Sequence, residues 1–233
     1  MVLASRRFRT SRWRASLKDT PSLGHCVRLP YDSFMSTSVQ DALIDENARY
    51  KRVMRTAEEL FKKVGFRAVT MELVAREANV AKATLYSYFK NKDDLYVAVC
   101  GRMAKILKGS VEQALMKADR SIDERLVDAV VAKHRPVFTL VRASPHAAEL
   151  LSFTHSMAGE IFANLDLEML DMFRAALAED PELGRNAEQL ARALYFGSAP
   201  LASRSETTTQ METEVSSFAR AYLAGSRALA RAG

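Results

Sequence analysis

Two short amphipathic segments separated by a tight turn, within residues 70–92, limit what this chain can fold into more than any other feature. The first segment has its apolar residues at helical spacing, at Met71, Val74, Ala75 and Ala78. Thr70 is a suitable N-cap for this helix, and Asn79 tolerates the left-handed backbone of a tight turn. A second short helix begins near Lys82 and carries Leu85, Tyr88 and Phe89. The pattern predicts two short helices that meet at an angle.

A longer basic amphipathic helix precedes this pair, and its period becomes clear from Asn47. Its apolar residues recur at the spacing of one helix face, at Val53, Ala57, Leu60, Phe61 and Val64. We expect Gly65 to end this helix, because glycine adopts left-handed conformations at little cost. The three segments together predict a helix-turn-helix domain.

The remainder of the chain also follows helical patterns. A helix is expected from Asp93, and Ser121 with Glu124 forms a capping box that opens a helix meeting Pro136. Ser144 and Pro145 suit the N-cap and first position of the next helix.

Two further helices are expected near the C-terminus, one capped by Asn186 and running to about Ser198, the other starting at Thr208 or Thr209 and running to about Ala230. No strand-like alternation of useful length is present, which predicts an all-α chain.

Positive charge is concentrated in the N-terminal part of the chain. Residues 47–92 hold eleven Lys and Arg against four acidic residues, a net charge of +7, whereas residues 93–233 hold sixteen against nineteen. A basic segment joined to a mildly acidic remainder is typical of a nucleic-acid-binding head on a separate body. A solvated basic helix face is the alternative.

The chain therefore divides into three predicted regions: 1–46, 47–92 and 93–233. Residues 1–46 are expected to be a disordered basic extension and leader, and translation from Met35 is an alternative start. The Arg-rich, acid-poor beginning superficially resembles a mitochondrial transit peptide, but it lacks the apolar run of a secretory signal.

The segment TMELVAREANVAKATLYSYFKNKDDL at residues 70–95 resembles the DNA-binding domain of TetR-family transcriptional regulators, and the resemblance covers roughly residues 47–100. It implies that the third helix enters the DNA major groove and that the later helices, residues 93–233, form an effector-binding and dimerisation domain. The expected partners are double-stranded DNA, a small-molecule effector and a second copy of the chain.

The resemblance and the helical geometry indicate the same candidate DNA contacts. Phosphate contacts are expected from Thr70, Lys82, Thr84, Tyr86 and Lys92. Base contacts are expected from Ala83 and Ser87, on the face opposite Leu85 and Phe89. The sequence departs from the family pattern at the turn, which is Asn79, and at Ala81, which removes a capping hydroxyl.

The body offers a candidate effector pocket lined by Met, aromatic and His residues: Phe138, His155, Met157, Phe162, Met169, Met172 and Phe173. The same stripe is also what an ordinary helical core contains. A homodimer is expected through residues 187–201 and 210–230, whose apolar residues need cover on more than one side. We expect the chain to act as a repressor, released from a palindromic operator by a small apolar ligand.

Other function classes find little support in the sequence. No catalytic, phosphate-loop or dinucleotide motif is present, the histidines have no metal-ligand spacing, and no cofactor is expected. No stretch approaches the ~18 apolar residues of a membrane span. Two cysteines, Cys26 and Cys100, cannot form a disulfide framework, which favours the cytoplasm. The alternative is a helical dimeric interaction or ligand-binding protein without operator-specific DNA binding.

Overall fold

The computed structural model describes residues 37–144, 146 and 158–232, with only the backbone described for residues 37–44. These ranges are helical and contain no strand, which confirms the all-α prediction. Their α-helices are α1 (Thr37–Ala68), α2 (Met71–Glu77), α3 (Lys82–Tyr88), α4 (Lys92–Leu115), α5 (Ile122–Ala143), α6 (Gly159–Ala178), α7 (Ala187–Gly197), α8 (Ala199–Arg204) and α9 (Thr208–Ala232), with a 3-10 turn at Gly184–Asn186.

The chain divides into two compact units, residues 1–41 and 42–233. Of the first unit, the structure describes residues 37–41, the start of α1. This helix begins before residue 47, so residues 37–46 are helical where the sequence suggested a leader. The segment contains no Gly or Pro that would stop a helix from extending towards the N-terminus.

α1 breaks at Gly65, which has a φ of 79° and a ψ of 160°. An L-residue with a side chain rarely adopts this φ, so glycine is required where the backbone turns. The apolar stripe faces inward as predicted, with Val53, Ala57 and Phe61 fully buried.

The helix-turn-helix forms at the predicted residues. The Thr70 hydroxyl accepts a hydrogen bond from Leu73 N at 3.1 Å and caps α2. Asn79 has a φ of 49°, and the next residue, Val80, returns its N–H to Ala75 O at 3.0 Å. α3 begins at Lys82 and, as expected from Ala81, has no side-chain cap.

Two hydrophobic clusters form the core of the described part of residues 42–233, and α4 contributes to both. The first joins α1, α2 and α3 to the N-terminal half of α4, up to Cys100. The second begins on α4 at Ala104 and includes residues of α5 to α9. The core of the head thus extends beyond residue 92 and gives way to the core of the body near Gly101.

α5 opens with the predicted capping box at Ser121 and Glu124, and it continues through Pro136 to Ala143. Proline has no N–H, so the Ala132 carbonyl loses its helical partner. The Ser110 hydroxyl of α4 donates to Leu107 O at 2.7 Å and also lies 3.3 Å from Ala132 O. α5 thus continues through Pro136, and the Ser110 hydroxyl lies close to the carbonyl that the proline leaves free.

Three predicted helix ends differ in detail. Asn186 occupies the N-cap position of α7 without a side-chain hydrogen bond, and Thr207 caps α9 by accepting from Gln210 N at 3.1 Å. Ser144 follows α5, and its hydroxyl donates to the Lys62 carbonyl of α1. The helix expected from Pro145 lies outside the described residues.

None of the helices in the described ranges has the length and apolar character needed to cross a membrane. The same ranges hold no group of three or more His, Cys, Asp or Glu placed to share a metal ion. Cys100 is buried with a free thiol, whose pKa is raised by burial. Cys26 lies outside the described residues.

Candidate nucleic-acid interface

α3 presents opposite faces to the core and to solvent. Leu85 is fully buried and Phe89, directly after the helix, is 6% exposed. Ala83 and Ser87 lie on the exposed side, as the sequence pattern predicted. The Ser87 hydroxyl donates to Thr84 O at 2.7 Å, and its oxygen can still accept a hydrogen bond from outside the helix.

The flanks of α3 carry two of the predicted phosphate contacts. Tyr86 is 41% exposed, while Thr84 is half-buried. The Lys82 ammonium lies 5.9 Å from the centre of the Tyr86 ring. Lys82, Tyr86 and Ser87 therefore share one accessible surface at the first turns of α3.

Lys82 is held by an acidic residue of α2. Its Nζ lies 2.5 Å from Glu72 Oε1, and both side chains are exposed. The hydrogen bond raises the pKa of Lys82 and lowers the pKa of Glu72. A phosphate that approaches Lys82 must therefore compete with the Glu72 carboxylate.

Lys92 has an intramolecular role that its position in the sequence does not reveal. Its Nζ donates to Phe66 O at 2.9 Å, lies 3.5 Å from Arg67 O and sits 4.3 Å from the centre of the Phe66 ring. These contacts tie the start of α4 to the end of α1. A phosphate contact by Lys92 stays a prediction, as it does for Thr70, whose hydroxyl caps α2.

Sequence reasoning missed two residues that shape this surface. Arg52 of α1 donates from Nε to Ala78 O at 2.8 Å and anchors the end of α2 next to the turn. Glu72 is the second, because it pairs with Lys82 across the turn. Both looked like solvated charges in the sequence, and no local spacing connects either one to its partner.

The predicted effector residues that the structure describes do not line a single pocket. Phe138 contributes to a groove of about 340 Å³ between α5 and α8, lined by His134, Val137, Phe138, Val141, Arg142, Ala199, Ala202 and Ser203. Met169 and Phe173 are buried in the core of the body, and Phe162 and Met172 pack half-buried against it. His155 and Met157 lie outside the described residues.

The 340 Å³ groove contains a buried histidine. His134 Nε2 lies 2.8 Å from the Ser198 hydroxyl. Burial, with a smaller contribution from the neighbouring Lys133, lowers the pKa of His134 to about 3. At neutral pH the His134 imidazole is therefore uncharged.

The helices expected to dimerise each bury one face within the chain. On α9 the buried residues are Met211, Val215, Ala219 and Leu223. Another part of the α7 and α9 surface remains accessible, with Phe196 48% exposed and Leu229 77% exposed. Phe218 and Tyr222 stack with ring centres 6.0 Å apart and are half-buried.

Comparison with known proteins agrees with this architecture. Residues 53–99 match the family described as bacterial regulatory proteins, tetR family. An uncharacterised HTH-type transcriptional regulator of Bacillus subtilis, YhgD, is 37% identical over 67 residues, which are 29% of this chain and 35% of YhgD. The HTH-type transcriptional repressor KstR of Mycolicibacterium smegmatis is 34% identical over 71 residues, 30% of this chain and 35% of KstR.

These matches span about a third of the length of the two curated relatives. A TetR-like transcriptional regulator from Rhodococcus sp. RHA1 superposes with a TM-score of 0.56 at 22% identity, over 76% of this chain and 96% of that one. A SmeT–triclosan complex superposes with a TM-score of 0.54 at 17% identity, over 76% of this chain and 91% of that one. At these identities the structural likeness concerns the fold.

Proposed function

We propose that the chain is a transcriptional regulator of the TetR family that binds duplex DNA through α3, because residues 53–99 match the family of bacterial regulatory proteins, tetR family. The observation that carries this proposal is the exposed face of α3, where Ala83 and Ser87 lie beside the adjacent pair Lys82 and Tyr86. Small side chains let a helix approach base edges, while flanking cations and hydroxyls reach phosphates. Such a function places the protein in the cytoplasm, with the chromosome.

A mobility-shift experiment with the DNA upstream of the chain's own gene tests the proposal. We expect a retarded complex that survives an excess of unrelated duplex. Ser87→Ala should change the preference among sequences, and Tyr86→Phe should weaken binding to all of them similarly. Arg204→Gln, which removes an exposed charge from α8, is the control. A chain that shifts no duplex would instead support the alternative of a helical interaction protein.

We also propose that the regulator is a homodimer through residues 187–201 and 210–230. The exposed side chains of Phe196 and Leu229 support this assembly, since large apolar groups in water favour burial. A two-fold dimer would present two copies of α3 to half-sites about 34 to 36 Å apart on a palindromic operator.

The proposed mode of regulation is release of a repressor by a small, largely apolar ligand. The groove beside His134 and Phe138 supports it by offering mostly apolar walls with three polar side chains, those of His134, Arg142 and Ser203, a composition common in ligand sites. KstR is named as a repressor, and SmeT forms a complex with triclosan. A ligand releases DNA only if it binds the DNA-free conformation more tightly.

Thermal-shift screening, followed by operator titration with each ligand found, tests this mode of regulation. Compounds that raise the melting temperature should lower operator affinity. Compounds that stabilise the chain and leave operator affinity unchanged would contradict ligand-dependent release.

A further inference from the structure

A second groove lies between α1 and α4. It has a volume of about 610 Å³ and is lined by Tyr50, Lys51, Met54, Arg55, Ala98, Gly101, Arg102 and Lys105. Four of these residues are cations, and none is a carboxylate. The groove therefore combines an apolar floor with a strongly positive rim.

The four cations differ in whether an acidic side chain pairs with them among the described residues. Arg102 pairs with Glu58 at 2.8 Å, whereas Lys51, Arg55 and Lys105 form no ion pair within the described part of the chain. Their side chains are exposed around one opening. Converging positive charges repel one another, and an anion bound among them would relieve that repulsion.

The groove continues along α4. Gly101 and Lys105 also line an adjoining groove of about 390 Å³ against α6, whose other lining residues are Ala104, Lys108, Ile161, Asn164, Leu165 and Glu168. Lys108 there is already neutralised by Glu168 at 2.6 Å. The uncompensated charges thus lie mainly in the first groove, and an apolar path leads away from them.

Gly101 stands where the two grooves join. A Cβ atom built at this position meets nothing within 4 Å, so the packing of the chain does not require a glycine. Glycine in the middle of a helix is less favourable than alanine or leucine. A larger side chain at this position would project into the space where the two grooves meet.

We propose that these grooves bind a single-chain anionic amphiphile, with a carboxylate or phosphate head among Lys51, Arg55 and Lys105 and an alkyl chain passing Gly101. Charge-assisted hydrogen bonds would hold the head. Burial of the alkyl chain against Met54, Ala98 and the adjoining groove would supply hydrophobic free energy. The site is separate from the groove beside His134 and does not depend on DNA binding.

Calorimetric titration of the full chain tests the proposal. The titrants are laurate, dodecyl phosphate and dodecanol, each at concentrations too low for micelles to form. We expect both anions to bind, and dodecanol to bind at least about tenfold more weakly because it lacks the charge. The ratio between laurate and dodecyl phosphate distinguishes the two possible heads. Equal affinities for laurate and dodecanol would overturn the proposal.

Two pairs of variants locate the site. The double variant Arg55→Gln/Lys105→Gln should lower the affinity for laurate about tenfold. The control Lys63→Gln/Arg204→Gln, which removes two exposed charges elsewhere, should leave this affinity unchanged. Gly101→Leu should abolish binding with an unchanged or higher melting temperature. Gly109→Leu is its control, because a Cβ at Gly109 also meets nothing within 4 Å.

Wild-type laurate affinity in Gly101→Leu or in Arg55→Gln/Lys105→Gln would overturn the proposal. If the second variant kept laurate binding and lost DNA affinity, the cations would serve DNA instead. A wild-type chain that binds laurate but no duplex would contradict the proposed regulator function alone.

Discussion

At the scale of single residues, the accessibility of Lys82 is set by its neighbour Glu72. The Glu72 carboxylate of α2 forms an ion pair with the Lys82 ammonium at the start of α3. An exposed ion pair of this kind is weak, so a DNA phosphate can replace it, but at the cost of breaking the pair. Glu72 also places a negative charge next to the surface proposed for DNA.

Glu72→Gln should therefore strengthen binding to duplex DNA of any sequence by about threefold, because Lys82 is released and one repulsive charge is lost. Glu77→Gln is the matched control, since Glu77 is an exposed acid of the same helix that pairs with Arg76 instead. Fluorescence anisotropy with two unrelated duplexes measures the effect. Equal gains in DNA affinity for the two variants would show that the effect comes from net charge and not from the release of Lys82.

His134 makes a second prediction at this scale, on the dependence of stability on pH. Its pKa falls from 6.5 to about 3 on folding. Between these values the unfolded chain binds the proton and the folded chain does not, so stability decreases as the pH falls below 6.5.

Between pH 6.5 and pH 4, the free energy of unfolding of His134→Gln should fall by about 2 to 3 kcal/mol less than that of the wild type. Glutamine does not titrate and can still form a hydrogen bond with the Ser198 hydroxyl. Urea unfolding at a series of pH values measures the difference. Parallel pH profiles for wild type and variant would contradict a neutral, buried His134.

At the scale of helices, Pro136 leaves the Ala132 carbonyl of α5 without its helical hydrogen-bond donor. Ser110 of α4 is the side chain that reaches Ala132 O. Ala132 is half-buried, and a carbonyl that lacks a partner costs about 1 to 3 kcal/mol to the extent that it is shielded from water. The contact therefore matters for α5 although Ser110 belongs to another helix.

Ser110→Ala should lower the free energy of unfolding by about 1 kcal/mol in the wild-type background. The loss should be smaller in a Pro136→Ala background, where residue 136 supplies its own N–H to Ala132 O. Denaturant unfolding of the two single variants and the double variant gives the coupling energy. A coupling of zero would mean that Ser110 does not compensate for the proline.

The features predicted correctly from the sequence are mostly local. The Thr70 cap, the Ser121 capping box and the turn at Asn79 depend on residues within a few positions of one another. The contacts of Lys92 with Phe66 O and of Ser110 with Ala132 O join residues that are distant in the chain. No spacing rule reveals such contacts.

The candidate effector residues show the same limit. Helical periodicity predicts that Met169 and Phe173 face inward, and both are buried. Whether an inward face meets another helix or a cavity depends on the neighbouring helices. For this reason the groove beside Phe138 brings in Ala199 and Ala202 of α8, which the sequence pattern did not suggest.

At the scale of the whole molecule, α4 links the hydrophobic core of the head to that of the body. A change in its tilt would move packed residues in both cores. The proposed dimer adds a constraint, because the separation of two heads must match the separation of two half-sites.

Phe196→Asp should therefore convert a stable dimer into a monomer at micromolar concentration, since it places a charge in the proposed interface. Leu167→Asp is the control, because Leu167 is an exposed apolar residue of α6 outside that surface. Light scattering coupled to size-exclusion chromatography reports the mass. A monomeric wild-type chain would contradict the proposed assembly.

The proposed function rests on the binding of duplex DNA through α3. Its most direct test is the salt dependence of anisotropy titrations of the upstream DNA with wild type, Lys82→Gln and the control Arg204→Gln. Loss of a phosphate contact should reduce the slope of log affinity against log salt by about one in Lys82→Gln alone. Identical affinities and slopes for all three proteins would contradict DNA binding through α3.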